Sequence, residues 1–245
     1  MASKATFHHA VWQVELRFKP LRMMEIDVAS ANGSRQRELV WYLVYQLRNT
    51  GSHLKPVPKV NAAGDEVFEV ERVDHQVRCF PNFVLASLDH DRLYEPRMLP
   101  DAVRAIHARE IRDPRVKLYN TVDVSTLPLD VSTEEDDRGI WCVVTWTGVD
   151  PRSDFLSLYV QGLTNAYQWE DPKEPPSENA GPVESAVLTY KTLQLNFWRP
   201  GDTIRESEDD IYYGMPDGLE GDELERVLEI YGVEQPVDYR WVYRP

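Results

Sequence analysis

Residues 38–51 read ELVWYLVYQLRNTG, and their pattern decides the fold. Leu39, Trp41, Leu43, Tyr45 and Leu47 alternate onto one face, while Val40, Tyr42 and Val44 make the other face apolar as well. A strand that is apolar on both sides belongs in the middle of a layered structure, covered above and below.

The flanking segments keep the same period of two. Residues 11–19 place Trp12, Val14, Leu16 and Phe18 on one side and Gln13, Glu15, Arg17 and Lys19 on the other, the pattern of a half-buried antiparallel strand that Pro20 ends. Residues 23–28 run into Ala31-Asn32-Gly33-Ser34, a turn signal that would join them to the central strand as a hairpin. Asn32-Gly33-Ser34 also fits the N-glycosylation pattern, but a turn explains it sufficiently. Residues 52–64 read as an exposed loop, 67–77 and 80–88 as weaker strands, and 117–124 as another. Strands are expected over 140–147 (IWCVVTWT), 155–162 and 187–198, with a last edge strand carrying Val237, Tyr239, Trp241 and Tyr243.

Two stretches break this rhythm. Pro100 and Asp101 open a helical pattern over residues 98–112. Asp222 and Glu225 suggest a capping pair for a second helix, whose stripe of Leu224, Val227, Leu228 and Tyr231 ends at Gly232. The expectation is a mainly β protein: an antiparallel, immunoglobulin-like β-sandwich with one or two peripheral helices. Residues 11–245 form one decorated domain in this reading, and residues 1–10 are a disordered or vector-derived start. Residues 171–182 (DPKEPPSENAGP) read as a surface excursion.

The formal net charge of −14 argues against a nucleic-acid partner, whose phosphates demand a basic surface. Residues 201–245 hold four Arg against thirteen acids, whereas residues 1–60 hold nine Lys or Arg against four. That polarity suits end-to-end self-association, although a solubilising tail is the simpler reading. The two cysteines, Cys79 and Cys142, form no CxxC, which speaks against zinc; both fall in strand-like runs, as a disulfide between sheets or as two buried thiols. No segment approaches the roughly 18 apolar residues of a membrane helix, and MASKATFHHAVWQ lacks the apolar centre of a signal peptide.

Motifs for common chemistry do not occur: no GxSxG, GxxxxGK[ST], GxGxxG or HExxH. Asp89-His90-Asp91 and Asp74-His75 could supply ligands or a base with its orienter, but adjacent strand residues point to opposite faces. The acidic runs at 134–137 and 206–210 lack the spacing of a calcium loop and read as solvated charge. The sharpest binding hypothesis is aromatic. Tyr167, Trp169 and Trp198, beside Glu170, Asp171, Arg199 and Asp202, could form a face on which a sugar or peptide stacks; the plainer reading is that these rings lock strand ends into the core.

Four phrases carry a resemblance: WYLVYQLRNTG at 41–51, YVQGLTNAYQWEDP at 159–172, KTLQLNFWRPGD at 191–202 and YGVEQPVDYRWVYRP at 231–245. Together they resemble a family of uncharacterised, mostly exported bacterial proteins, from about Trp12 to the C-terminus. The resemblance implies a periplasmic or cell-envelope location if the native precursor has a signal peptide, and a cytoplasmic one otherwise. It implies no activity. The functional expectation is thus a non-enzymatic binding or structural/assembly protein outside the cytoplasm. Its partner would be a protein or glycan, or a second copy, with no cofactor or metal. The alternatives are a carbohydrate-binding module and an enzyme with dispersed carboxylates or histidines.

Overall fold

The computed structural model describes residues 9–29, 34–170, 187–200 and 211–245. The central segment is β3 (Arg35–Arg48), a strand of 14 residues. Its first half pairs with β2 (Arg22–Ala29) and its second half with β1 (Glu15–Phe18), both antiparallel, so the strands separated by Pro20 share one edge of β3. On the other edge lies β9 (Ile140–Thr147), followed by a short parallel pair with β8 (Tyr119–Asn120). These five strands form sheet I.

Sheet II is built on β12 (Val187–Trp198). One edge of β12 takes β10 (Phe155–Gln161) and then β11 (Tyr167–Glu170); the opposite edge takes β13 (Tyr212–Tyr213) and β14 (Tyr239–Arg244). Beyond β10 lie β6 (Asn82–Ser87) and β7 (Arg92–Tyr94). The turn between β10 and β11 starts at Gly162, with φ +85°, where a Cβ would meet the Phe80 carbonyl oxygen at 2.1 Å; no other residue fits there.

The two sheets close over one core. Leu43, Tyr45 and Leu47 of sheet I pack into the same cluster as Phe83, Leu158 and Phe197 of sheet II. The Tyr45 and Phe83 rings meet across the layers at 4.6 Å. The opposite face of β3, with Val40, Tyr42 and Val44, is covered by α1 (Pro100–Glu110) through Leu99, Ala102 and Ile106. Leu43 and Val44 are therefore both fully buried, as the two-faced pattern of β3 requires.

On the far side α3 (Gly221–Tyr231) sets Val227 and Tyr231 against Phe155, and the Tyr231 hydroxyl donates to the Phe197 carbonyl at 2.6 Å. Gly232 closes α3 in the left-handed region, φ +63°, as its sequence suggests. Glu220 rather than Asp222 occupies the N-cap, and it makes no side-chain capping bond.

Three expectations are corrected. Residues 53–60, expected in an exposed loop, form β4 (His53–Val60), which pairs antiparallel with β5 (Glu66–Val73) as a two-stranded ribbon; β5 falls on the weaker strand expected over 67–77. The outer part of the ribbon is exposed, so β4 carried little of the burial that would have marked it as a strand. Residues 117–124 give only the two-residue β8 before turning into α2 (Thr121–Ser125), whose first turn Asn120 caps by accepting from the Val122 and Asp123 amides. The helices among the described residues are thus three, not one or two. The mainly β character and the antiparallel sheets stand as expected.

A candidate binding groove

The space between the two sheets is open along one side, between β1 of sheet I and β14 of sheet II. A groove of about 900 Å³ runs there. One wall is the inner face of residues 12–18, with Trp12, Leu16 and Phe18. The floor is β12, through Leu193 and Leu195, and the other wall is β14, through Tyr239, Trp241 and Tyr243. Residues 10–14 close one end by bridging the layers: Val11 pairs with Leu54, and the Val14 amide donates to Leu163 at 2.8 Å.

The placement of the three rings follows from strand parity. Register sets Leu193 against Trp241 and Leu195 against Tyr239, so the odd residues of β14 share the inward face of β12's odd residues. The ladder fixes a second property. Asn196 donates its amide to Asp238 and its carbonyl accepts from Gly214, so the even residues of β12 face the β13–β14 edge. Lys191 donates to Ala166, on the opposite edge. In an antiparallel pair, even residues of β14 therefore bond to β12 and odd residues present N–H and C=O outward. Among the described residues nothing pairs with that outer edge. The residues that line the groove with rings also carry its free backbone donors and acceptors.

Charge in the groove is sparse and leans positive. Lys191 lies over the Trp241 ring at 5.0 Å, and Arg72 reaches in from the ribbon. Glu15, the carboxylate of the lining, is neutralised by Arg17 at 3.1 Å and Arg48 at 3.3 Å.

At one end the chain makes a tight corner. Gly51 and Ser52 both have positive φ, +70° and +57°. The buried Asn49 holds them: its carbonyl oxygen accepts from the Gly51 amide, and its amide donates to the His75 and Leu129 carbonyls. Asp74 accepts from the Ser52 amide at 2.7 Å. This corner delivers His53, buried, with its ring 4.5 Å from that of His75 and its Nε2 without a hydrogen-bond partner. Burial, and then the neighbouring His75 ring, lower the His53 pKa from its ordinary 6.5; a hydrogen bond to the His75 backbone and, after it, the Asp74 charge oppose this. Below about pH 6.5 the unfolded chain takes up a proton that the folded chain resists, so stability falls as the pH drops through that window. His53→Phe is expected to flatten this dependence between about pH 6.5 and 5 in thermal melts, and an unchanged slope would assign it elsewhere.

The aromatic residues singled out in the sequence divide. Tyr167 and Trp169 alternate on β11 opposite Tyr190 and Leu188, which puts them on the outer face of sheet II, away from the groove. They are not core rings, being 45% and 59% exposed, and Tyr167 stacks on His9. Trp198 sits at the other end of β12, half-buried and stacked on Tyr212 at 5.0 Å. Glu170 ends β11, and Asp171 and Asp202 lie outside the described residues. Arg199 is buried, donating to the Pro151 carbonyl and lying over Trp41.

The polar pairs are taken up by the fold. Asp89 accepts from the Asp154 and Phe155 amides, both at 2.8 Å, and Asp91 turns the chain with φ +47°. His90 faces Asp150 at 3.7 Å, and Arg152 holds the Asp150 carboxyl well below the usual range. Among the described residues no three His, Cys, Asp or Glu side chains are grouped to hold a metal. Asp136 and Asp137 pair with arginines, and residues 206–210 lie outside the described ones. Cys79 and Cys142 are free buried thiols; burial pushes Cys79 up to about 12. Among the described residues no helix is long and apolar enough to cross a membrane.

Sequence reasoning found the last strand but not the groove, whose lining comes from distant segments of the chain. The available signal was the Tyr-x-Trp-x-Tyr spacing at 239–243. Comparison of the chain with protein families, curated proteins and solved structures returned no match.

Proposed function

We propose that this is a non-enzymatic binding or assembly protein, acting outside the cytoplasm, that takes up an extended polypeptide segment along β14. The observation that carries this is the coincidence on Tyr239, Trp241 and Tyr243 of groove-lining rings and outward-facing N–H and C=O groups. An added strand would gain its affinity from those backbone groups and its specificity from alternate side chains entering the groove. The use of Asp74, Asp89 and Glu110 to hold backbone amides or cations favours binding over catalysis. The extracytoplasmic part rests on the family resemblance alone. The immunoglobulin-like reading of the scaffold rests on two antiparallel sheets over one core, in the broad sense only.

A second reading has its own observation. Tyr167, Trp169 and Tyr190 form an exposed aromatic strip on the outer face of sheet II, the kind of surface on which a glycan stacks.

Selection of displayed ten-residue peptides on the intact protein separates the two. Enriched peptides should alternate apolar residues and lose at least ten-fold in affinity against Trp241→Ala, while Trp169→Ala leaves them unchanged. Peptides indifferent to Trp241→Ala would overturn the groove reading. Binding of oligosaccharides abolished by Trp169→Ala would install the glycan reading in its place.

A further inference from the structure

Resting on the reading of β14 as a strand-accepting edge, we propose that its partner is β14 of a second copy of this chain, paired antiparallel about a two-fold axis at Trp241. A two-fold interface must be self-complementary: each residue meets a partner whose own number mirrors it. Centred on Trp241, the pairing sets Trp241 against Trp241, Tyr239 against Tyr243, and Asp238 against Arg244. The sequence Asp-Tyr-Arg-Trp-Val-Tyr-Arg (238–244) is palindromic in its rings and opposite in charge at its ends.

Parity supports this register. The odd residues present their N–H and C=O groups outward, so Trp241 with Trp241 and Tyr239 with Tyr243 become hydrogen-bonded pairs. Asp238 and Arg244 then form a non-bonded pair on the outer face, where side chains stand closest. The neighbouring registers of the same parity fail on charge. Moving the axis to Arg240 sets that arginine against itself, and moving it to Val242 sets Arg240 against Arg244. Like charges directly opposite one another destabilise a ladder.

Among the described residues the arginines of β14 do not cover its outer edge. Arg240 turns aside to donate to Gln194 at 2.9 Å and to the Gly232 carbonyl at 2.8 Å, and Arg244 lies over the Tyr159 ring at 3.7 Å. Neither guards the free backbone. Tyr239 and Tyr243 are 57% and 42% exposed, a sizeable apolar area beside unpaired amides. Pairing would bring the two grooves together into one trough with a Trp241 pair at its centre.

The test is the mass of the full chain in solution, by light scattering or sedimentation, over micromolar to millimolar concentration and at two salt concentrations. The wild type should dimerise. Asp238→Arg alone and Arg244→Asp alone should each raise the dimer dissociation constant at least ten-fold, because each puts like charges opposite one another twice. An equimolar mixture of the two variants should recover the dimer as a heterodimer, which a folding defect could not do. Tyr243→Pro removes an outward N–H without touching the ladder to β12, so it should give a monomer with an unchanged melting temperature. A wild type monomeric throughout, or variants that dimerise as tightly as it does, would overturn the proposal. A monomer that still binds selected peptides through Trp241 leaves the strand-accepting reading standing; a monomer that binds none removes both.

Discussion

Phe83→Ala should lower the unfolding free energy by about 3–5 kcal/mol, read by urea denaturation. Phe83 is fully buried on the inner face of β6, and its ring packs on Tyr45 of β3 at 4.6 Å. The two strands belong to different sheets, so the contact exists only because the sheets share an interior. Removing the ring forfeits its transfer free energy and leaves a void that packed β-strands on both sides cannot fill. Phe80, three residues earlier and 66% exposed, provides the control: Phe80→Ala should move stability by no more than about 0.5 kcal/mol. A loss below about 1 kcal/mol at Phe83 would mean that the layers are not mutually supporting. A second unfolding transition would mean that they unfold separately.

That shared interior is also the part of the structure most legible in the sequence. Leu43 and Val44 point to opposite faces and both had to be covered, which demands layers on either side of β3; sheet II and α1 supply them. The strands at 140–147 and 187–198 lie where their patterning puts them, because each is long, apolar and bounded by turn residues.

The ribbon was hidden for a physical reason. Leu54, Pro56, Pro58 and Val60 alternate with His53, Lys55, Val57 and Lys59, a strand pattern in itself. Its prolines read as breakers, yet in a ribbon each strand has an edge where a missing N–H costs nothing. The candidate groove was less legible still. Tyr167, Trp169 and Trp198 look like neighbours in a list of aromatic residues, but β12 holds Trp198 and the β11 pair at opposite ends. The groove draws on residues near 12, 53, 193 and 241, which only the closure of the two sheets brings together. Periodicity reports which face a residue occupies; it carries no information about which edge is left open.

The second large effect is expected at Glu110, where α1 is fastened to sheet I. Its side chain is 6% exposed and meets Arg22 at 3.2 Å, Lys19 at 3.5 Å, Arg109 at 3.7 Å and the Tyr42 hydroxyl at 2.8 Å. Burial, reinforced by the carboxylate beside it, pushes the Tyr42 hydroxyl well above its ordinary value, so it stays a donor at any working pH. Glu110→Ala removes the one acceptor that these groups share. Breaking a fully buried ion pair costs about 3–5 kcal/mol, but the Lys19 and Arg22 side chains are 32% and 43% exposed and can turn back to water. The expected loss is therefore smaller, about 2–3 kcal/mol, and most of it comes from the stranded Tyr42 hydroxyl and the buried void. Glu110→Gln keeps an acceptor for Tyr42 and loses the charge, so it should fall between wild type and alanine. Tyr42→Phe on the alanine background should then cost much less than on wild type, with a coupling of about 1 kcal/mol in the cycle. Glu69→Ala, which breaks the exposed pair with Lys59 on the ribbon, should leave the melting temperature where it was. Equal effects at positions 110 and 69 would show that burial does not set the strength of these contacts. Additive losses at Glu110 and Tyr42 would show that the hydroxyl and the carboxylate do not act as a pair.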